Sequence, residues 1–189
     1  MVFDKAVGYL WVVALRRHAW RLWAVSGLTL GADQLTKYLI RTSWLPGESL
    51  PLLPPLLSLT YVQNTGAAFG LFKGQGYIFI GVSLLVIGWI VAELVARQTT
   101  PAMTGWGSAL VLGGALGNLI DRLRFGYVID FIDIHVWPVF NLGDTAITVG
   151  VGLLILQSVS GRETSSSTPH ALLRKAKPWG GTHDDAPRG

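Results

Sequence analysis

Four runs of apolar residues, separated by more polar stretches, organise this chain: Trp20 to Ile40, Gly76 to Ala96, Trp106 to Ile120 and Thr145 to Ser160. A bilayer core needs ~20 predominantly apolar residues in a helix, so each run reads as a membrane span, the third and fourth being short. Between the first and second runs, and between the third and fourth, the pattern changes. Leu56 to Gln63 and Tyr127 to Val136 alternate or are β-branched, as strands are. Pro46, Gly47, Pro51, Pro54 and Pro55 exclude a long helix ahead of the first strand. The expectation is an α-helical polytopic membrane protein with four transmembrane helices and a small extracytoplasmic β platform. A flap from Gly66 to Gly76 follows the first strand.

Composition agrees with that setting, because 50% of the residues are hydrophobic, only 14% are charged and eight are Trp. Mean hydropathy is +0.45. Lys5, Arg16, Arg17 and Arg21 precede the first span, Arg97 follows the second, and Arg162, Arg174, Lys175 and Lys177 follow the fourth. The opposite side carries only Arg41, Lys73, Arg122 and Arg124. The positive-inside rule then puts both termini in the cytoplasm. The net charge of +4 is accounted for by this topology and an anionic inner leaflet, without nucleic acid.

The apolar stretch Ala6 to Leu15 is too short to span, and its strongest positive charge follows it. It reads as an interfacial helix and not as a signal peptide. From Gly161 the chain turns to Ser, Thr, Pro, Gly and charge, the composition of a disordered tail. The expected organisation is therefore a cytoplasmic N-terminal segment over 1–19, a catalytic membrane domain over 20–160 and a cytoplasmic tail over 161–189.

The absence of Cys removes disulfides, thiolate metal sites and Cys nucleophiles. Of the four His, only His135 falls on the outer side, and no His-Glu-x-x-His or Gly-x-Ser-x-Gly occurs. No metal and no cofactor are expected. Carboxylates and amides remain, and they gather at one depth. Asp33 lies roughly 20 Å along the first helix at ~1.5 Å per residue, toward the outer leaflet. Asn118, Asp121 and Arg122 end the third span, Asp144 opens the fourth, and Asn64 and Asp130 sit in the outer segments. Helical spacing places Asn118, Asp121 and Arg122 on one face and pairs Asp33 with Lys37. Asp121 is read as an ion-paired partner of Arg122 that fixes the helix end, and Asp133, three residues past Asp130, as solvated on the opposite side of its strand. Gly27/Gly31 and Gly113/Gly117 are spaced for close helix packing.

Asp130 and Asp144 bracket the short stretch between the last two spans. Two carboxylates that can approach each other share a proton and work as an acid/base pair. Asp144 precedes Thr145-Ala146-Ile147 and falls at a helix N-terminus, where the dipole favours its anion, so Asp130 is expected to hold the shared proton at rest.

Five motifs carry a resemblance: Asp33-Gln34-Leu35-Thr36-Lys37, Asn64-Thr65-Gly66-Ala67-Ala68-Phe69, Gly117-Asn118-Leu119-Ile120-Asp121-Arg122, Val128-Ile129-Asp130-Phe131 and Phe140-Asn141-Leu142-Gly143-Asp144. In this order they resemble the motifs of bacterial lipoprotein signal peptidase, the type II signal peptidase. The resemblance runs from about Asp33 to Gly152. It implies a four-span aspartyl endopeptidase of the bacterial cytoplasmic membrane, active at the outer leaflet. The implied substrate is a prolipoprotein whose Cys carries diacylglycerol, cut just before that Cys. Asp130 and Asp144 become the catalytic pair, with Asp33, Asn64, Asn118, Arg122 and Asn141 as supporting or substrate-binding groups; Lys37, Gly66 and Asp121 lie in the same motifs. Membrane lipid is the other implied partner, and a single copy of the chain is expected to suffice. Two departures stand out: Gly143 where the family usually has Ala, and a short interval from Asp130 to Asp144. Another intramembrane aspartyl protease and a proton-coupled transporter are the alternative readings.

Overall fold

The computed structural model describes residues 3–66, 76–96 and 102–163. Residues 67–75 of the expected flap and 164–189 of the expected tail lie outside the described residues. Among the described residues, four helices and three strands follow one another: α1 Phe3–Ser43, β1 Ser49–Leu53, β2 Leu57–Asn64, α2 Gly76–Ala96, α3 Ala102–Phe125, β3 Val128–Asp133 and α4 Leu142–Glu163. Each apolar run thus falls inside one helix, and the α2 bounds coincide with the run. α1 continues unbroken from Phe3, so no change of backbone conformation marks residue 19.

Among the described residues, two helices are long and apolar enough to cross a membrane: Gly76–Val95, with mean hydropathy 2.5, and Leu142–Ser160, with 1.6. α2 turns Leu84, Leu85, Trp89 and Val95 outward. So much exposed apolar surface on one helix is characteristic of a hydrocarbon surround. α1 and α3 instead bury ionisable groups between them, namely Asp33, Lys37 and Asp121.

Glycine lets α3 approach its neighbours at backbone distance. A Cβ on Gly113 would fall 2.6 Å from the Ser26 carbonyl oxygen of α1, and one on Gly107 would fall 2.7 Å from the Gly150 carbonyl oxygen of α4. Gly27 and Gly31, the other pair spaced for close packing in the sequence, have nothing within 4 Å of a Cβ position. The close approach to α1 is therefore made by glycines of α3 alone, with Ser26 and Thr29 opposite Gly113. A smaller apolar core of Ile90, Val111 and Leu112, with Leu154 beside it, joins α2, α3 and α4.

The sheet has the order β1-β2-β3 and is antiparallel. β1 is exposed throughout and carries Pro51, which an edge strand tolerates because its missing N–H faces no partner. Gly126, with φ 79°, ends α3 in the left-handed conformation and bonds back to the Arg122 carbonyl at 3.0 Å. This sharp turn sends the chain directly into β3. There Asn64 pairs with Val128, and Val62 with Asp130. Ile40, Tyr61, Ile129 and Phe131 form the core that seats the sheet on the end of α1.

Candidate active site

Asp130 is centred on β3, while Asp144 occupies the first turn of α4. Both line a cavity of about 200 Å3, together with Asn64, Gly66, Arg122, Val128 and the loop Trp137–Phe140. Asp130 is buried, at 1% exposure, and Asp144 is half-buried. Burial first, and the neighbouring Asp144 charge second, push the Asp130 carboxyl up to about 7. The amides of Asn64 and Asn141 oppose that rise by donating to its anion.

Three asparagines hold the pair, and each has its amide orientation dictated by a group that can only donate. The Gly66 N–H donates to Asn64 Oδ1 at 3.0 Å, which turns Asn64 Nδ2 onto Asp130 Oδ2 at 2.8 Å. The Asp144 N–H donates to Asn141 Oδ1 at 2.9 Å, which turns Asn141 Nδ2 onto Asp130 Oδ1 at 2.7 Å and toward Asn118 Oδ1 at 3.1 Å. Lys37 Nζ donates to Asn118 Oδ1 at 2.7 Å, leaving Asn118 Nδ2 to donate to Asp144 Oδ1 at 2.7 Å. An ammonium or a backbone N–H has no acceptor to offer, so the opposite orientation of each amide would set donor against donor. Asn141 is also the N-cap of α4, and its own N–H lies 3.4 Å from Asp144 Oδ2, completing a reciprocal capping arrangement. Capping and aiming are performed by one side chain.

Behind these amides lies a buried ionic layer. Lys37 Nζ is 2.8 Å from Asp33 and 2.9 Å from Asp121, all three being almost fully buried. Asp33 Oδ1 accepts the Gly143 N–H at 2.8 Å, tying α1 to the start of α4. Asp121 Oδ2 accepts the Ile129 N–H at 3.2 Å, tying α3 to β3. The partner of Asp121 is thus Lys37 and not the adjacent Arg122, because successive residues on a helix point about 100° apart. Arg122 projects to the cavity wall, its guanidinium 5.1 Å from the Phe79 ring centre and within the fields of Asp144 and Asp130.

The sequence-derived residues therefore separate by place. Asp130, Asp144, Asn64, Gly66 and Arg122 face the cavity. Asn118 and Asn141 bridge, and Asp33, Lys37 and Asp121 are enclosed behind them. Sequence reasoning passed over Gln34, whose Nε2 donates to Asp121 Oδ1 at 3.0 Å and to the Gly117 carbonyl at 3.2 Å. Its place three residues before Lys37, on the same helical face, was the available signal. Asp133 is not simply solvated: it accepts from Thr60 Oγ1 at 3.0 Å and from the His135 N–H at 2.9 Å. His135 in turn lies 3.1 Å from Ser58 Oγ through Nε2, clamping the loop that leads to Trp137. Among the described residues, no group of three or more His, Cys, Asp or Glu is placed to hold a metal ion.

A buried carboxyl beside a second one thus sits at the junction of a small sheet and a bundle with membrane-length apolar helices. Residues 25–160 match the family described as Signal peptidase (SPase) II. The chain belongs to the signal peptidase II family. The chain is 52% identical to the lipoprotein signal peptidase of Moorella thermoacetica over 130 residues, 69% of this chain and 87% of that protein. It is 43% identical to that of Pelotomaculum thermopropionicum, covering 77% of this chain and 95% of the relative. A solved structure described as a bacterial membrane enzyme superposes with a TM-score of 0.73 at 29% identity, covering 78% of this chain and 92% of the other. Membership in this family makes the chain a protease of membranes.

Proposed function

We propose that the protein is an aspartyl endopeptidase that removes the signal peptide from diacylglyceryl-modified prolipoproteins, cutting before the lipidated Cys at the outer face of the bacterial cytoplasmic membrane. The observation that carries this reading is the Asp130/Asp144 pair on one cavity, with the carboxyl of Asp130 raised to about 7. In the resting site Asp130 holds the proton. The Asp144 carboxylate takes a proton from a water molecule, whose oxygen attacks the scissile carbonyl. The acid proton of Asp130 is directed to the developing oxyanion and then to the leaving nitrogen as the C–N bond breaks. Asp144 ends protonated and Asp130 ionised, and one proton exchange between them resets the pair. No covalent intermediate is required.

Arg122 and Asn64, on the cavity wall, supply donors for the substrate backbone. A second, largely apolar groove of about 300 Å3 joins the cavity at Asp144, Trp137 and Phe140, and extends over Thr145, Thr148 and Val149 of α4. It suits the acyl portion of the substrate, delivered laterally from the bilayer. All four helices serve as spans in this reading, with residues 20–160 as the catalytic membrane domain. The excess of Lys and Arg outside residues 40–160 supports cytoplasmic termini. In α1 and α3, mutual pairing of Asp33, Lys37 and Asp121 offsets the cost of charge within hydrocarbon.

The test is cleavage of a diacylglyceryl-modified prolipoprotein by purified protein, beside the same precursor without lipid. Wild type is expected to cut only the lipidated form, and Asp130→Asn and Asp144→Asn to lose about 10⁴-fold in rate. Substantial activity in either variant would remove that aspartate from catalysis. Equal cleavage of both precursors would overturn the substrate assignment.

A further inference from the structure

Of the four basic residues on the outer side of the chain, Arg122 belongs to the active site and Lys73 lies outside the described residues. Arg41 and Arg124 remain, and both stand over one ring and line one cavity. The Arg41 guanidinium stands 4.8 Å from the ring centre of Phe125, and that of Arg124 stands 5.3 Å from the same ring. Both side chains are exposed, and among the described residues neither has a carboxylate within ion-pair distance. They flank a cavity of about 110 Å3 whose wall includes Tyr38, Phe125 and Ile129 and whose floor is Lys37, Gln34 and Asp121. The Asp121 carboxylate does not repel an anion there as a free carboxylate would, because Lys37, Gln34 and the Ile129 N–H already engage it.

Each arginine lies in the last turn of its helix, where a cation complements the dipole. That accounts for a positive charge at each end, but not for two like charges drawn onto one ring beside a cavity. Their repulsion is relieved by an anion that both can grip, and paired guanidinium forks match the oxygens of a phosphate. At headgroup level between membrane helices, such a pair of guanidinium forks is suited to the phosphate of an anionic lipid.

From this convergence we infer that Arg41 and Arg124 form a binding site for the phosphate of an anionic phospholipid in the outer leaflet, on the far side of the Lys37 layer from the Asp130/Asp144 cavity. The cavity holds the phosphate, Tyr38 adds a hydroxyl donor, and the acyl chains follow the bilayer-facing surfaces of α1 and α3. The site shares no lining residue with the catalytic cavity. The inference rests on the proposed membrane topology only for the choice of leaflet.

Native mass spectrometry of the purified protein in detergent, with phosphatidylglycerol and phosphatidylcholine added in equal amounts, tests this independently of peptidase activity. Wild type is expected to retain phosphatidylglycerol preferentially, and R41Q/R124Q to lose that preference by roughly tenfold. R41K/R124K, which keeps the charges without the forks, should fall between the two. Peptidase assays on the same variants establish that they are folded. Equal retention of both lipids by wild type, or unchanged selectivity in R41Q/R124Q, would overturn the site. Millimolar inorganic phosphate, added alone, distinguishes the sources: protection from thermal unfolding by phosphate without lipid selectivity would assign the site to a soluble anion, overturning the lipid. Selective retention of an acidic peptide over phosphatidylglycerol would overturn it as well.

Discussion

Lys37 Nζ lies 2.7 Å from Asn118 Oδ1, and this contact decides which end of the Asn118 amide meets Asp144. A side chain with no exposure to the cavity thereby sets the environment of one that has it. Lys37→Met is expected to let the amide turn and to lower kcat about 100-fold with little change in KM, as for a group that positions without touching substrate. It also leaves Asp33 and Asp121 buried without their cation, a loss of about 3–5 kcal/mol. Single-turnover cleavage beside thermal unfolding separates the two effects.

The carboxyl of Asp130 at about 7 has a definite consequence for pH. Its folded value lies above the ordinary carboxyl value of 3.8, so the native state binds more protons than the unfolded state between those limits. Stability is therefore expected to fall as pH rises from about 4 to about 7, by about 4 kcal/mol at most from this group. Asp130→Asn should flatten that slope in denaturation measured across the same range. The rate profile of wild type should lose activity on an alkaline limb near the same pH, where the proton shared by the pair is lost.

Asn141 combines two tasks that a substitution can separate. Ser caps a helix nearly as well but is too short to carry an amide to Asp130. Asn141→Ser should keep the cap, with a loss of about 1–3 kcal/mol from the buried Asp130 and Asn118 oxygens that lose its amide. The same variant should lose about 100-fold in kcat, as the aim of Asp130 is released. Melting temperature and turnover, measured on one preparation, suffice to check this.

Glycines of one chemical kind are expected to respond in opposite ways. A Cβ at Gly114 would collide with the Gly143 carbonyl, so Gly114→Ala should cost about 1–3 kcal/mol and much of the activity. At Gly27 nothing lies within 4 Å, and Gly27→Ala should stabilise the helix by roughly 0.5–1 kcal/mol. Gly143→Ala falls between, since its Cβ would stand 3.1 Å from Asn141 Oδ1, Asp33 Oδ1 and the Gly114 carbonyl oxygen. A shift of a few tenths of an ångström in those neighbours accommodates it, and near-normal cleavage is expected. Unfolding curves for the three variants give the order directly.

Periodicity made the helices and the two longer strands readable, because α2 and most of α4 are strongly apolar, β2 alternates and β3 is rich in β-branched residues. β1 was hidden by Pro51 and Pro54, residues that signal a turn unless an edge is already known to exist. The cavity residues were visible in the motifs, whereas their division into a cavity-lining pair and an enclosed ionic layer was not. Whether Asp121 meets Lys37 depends on how α1 rotates against α3, and single-chain spacing carries no term for that. For the same reason Gly27 and Gly31 looked equivalent to Gly113, and the clamp of Ser58, Asp133 and His135 joins strands that only the register brings side by side.

Where α3 meets α1 and α4 through glycine, the thickness of the joint is that of the main chain itself. Side chains can change rotamer and lipids can exchange, but neither alters a spacer that has no side chain. The separation between the helix bearing Asp33 and Lys37 and the one opened by Asp144 is in this sense a gauge cut into the backbone, indifferent to the fluid around it.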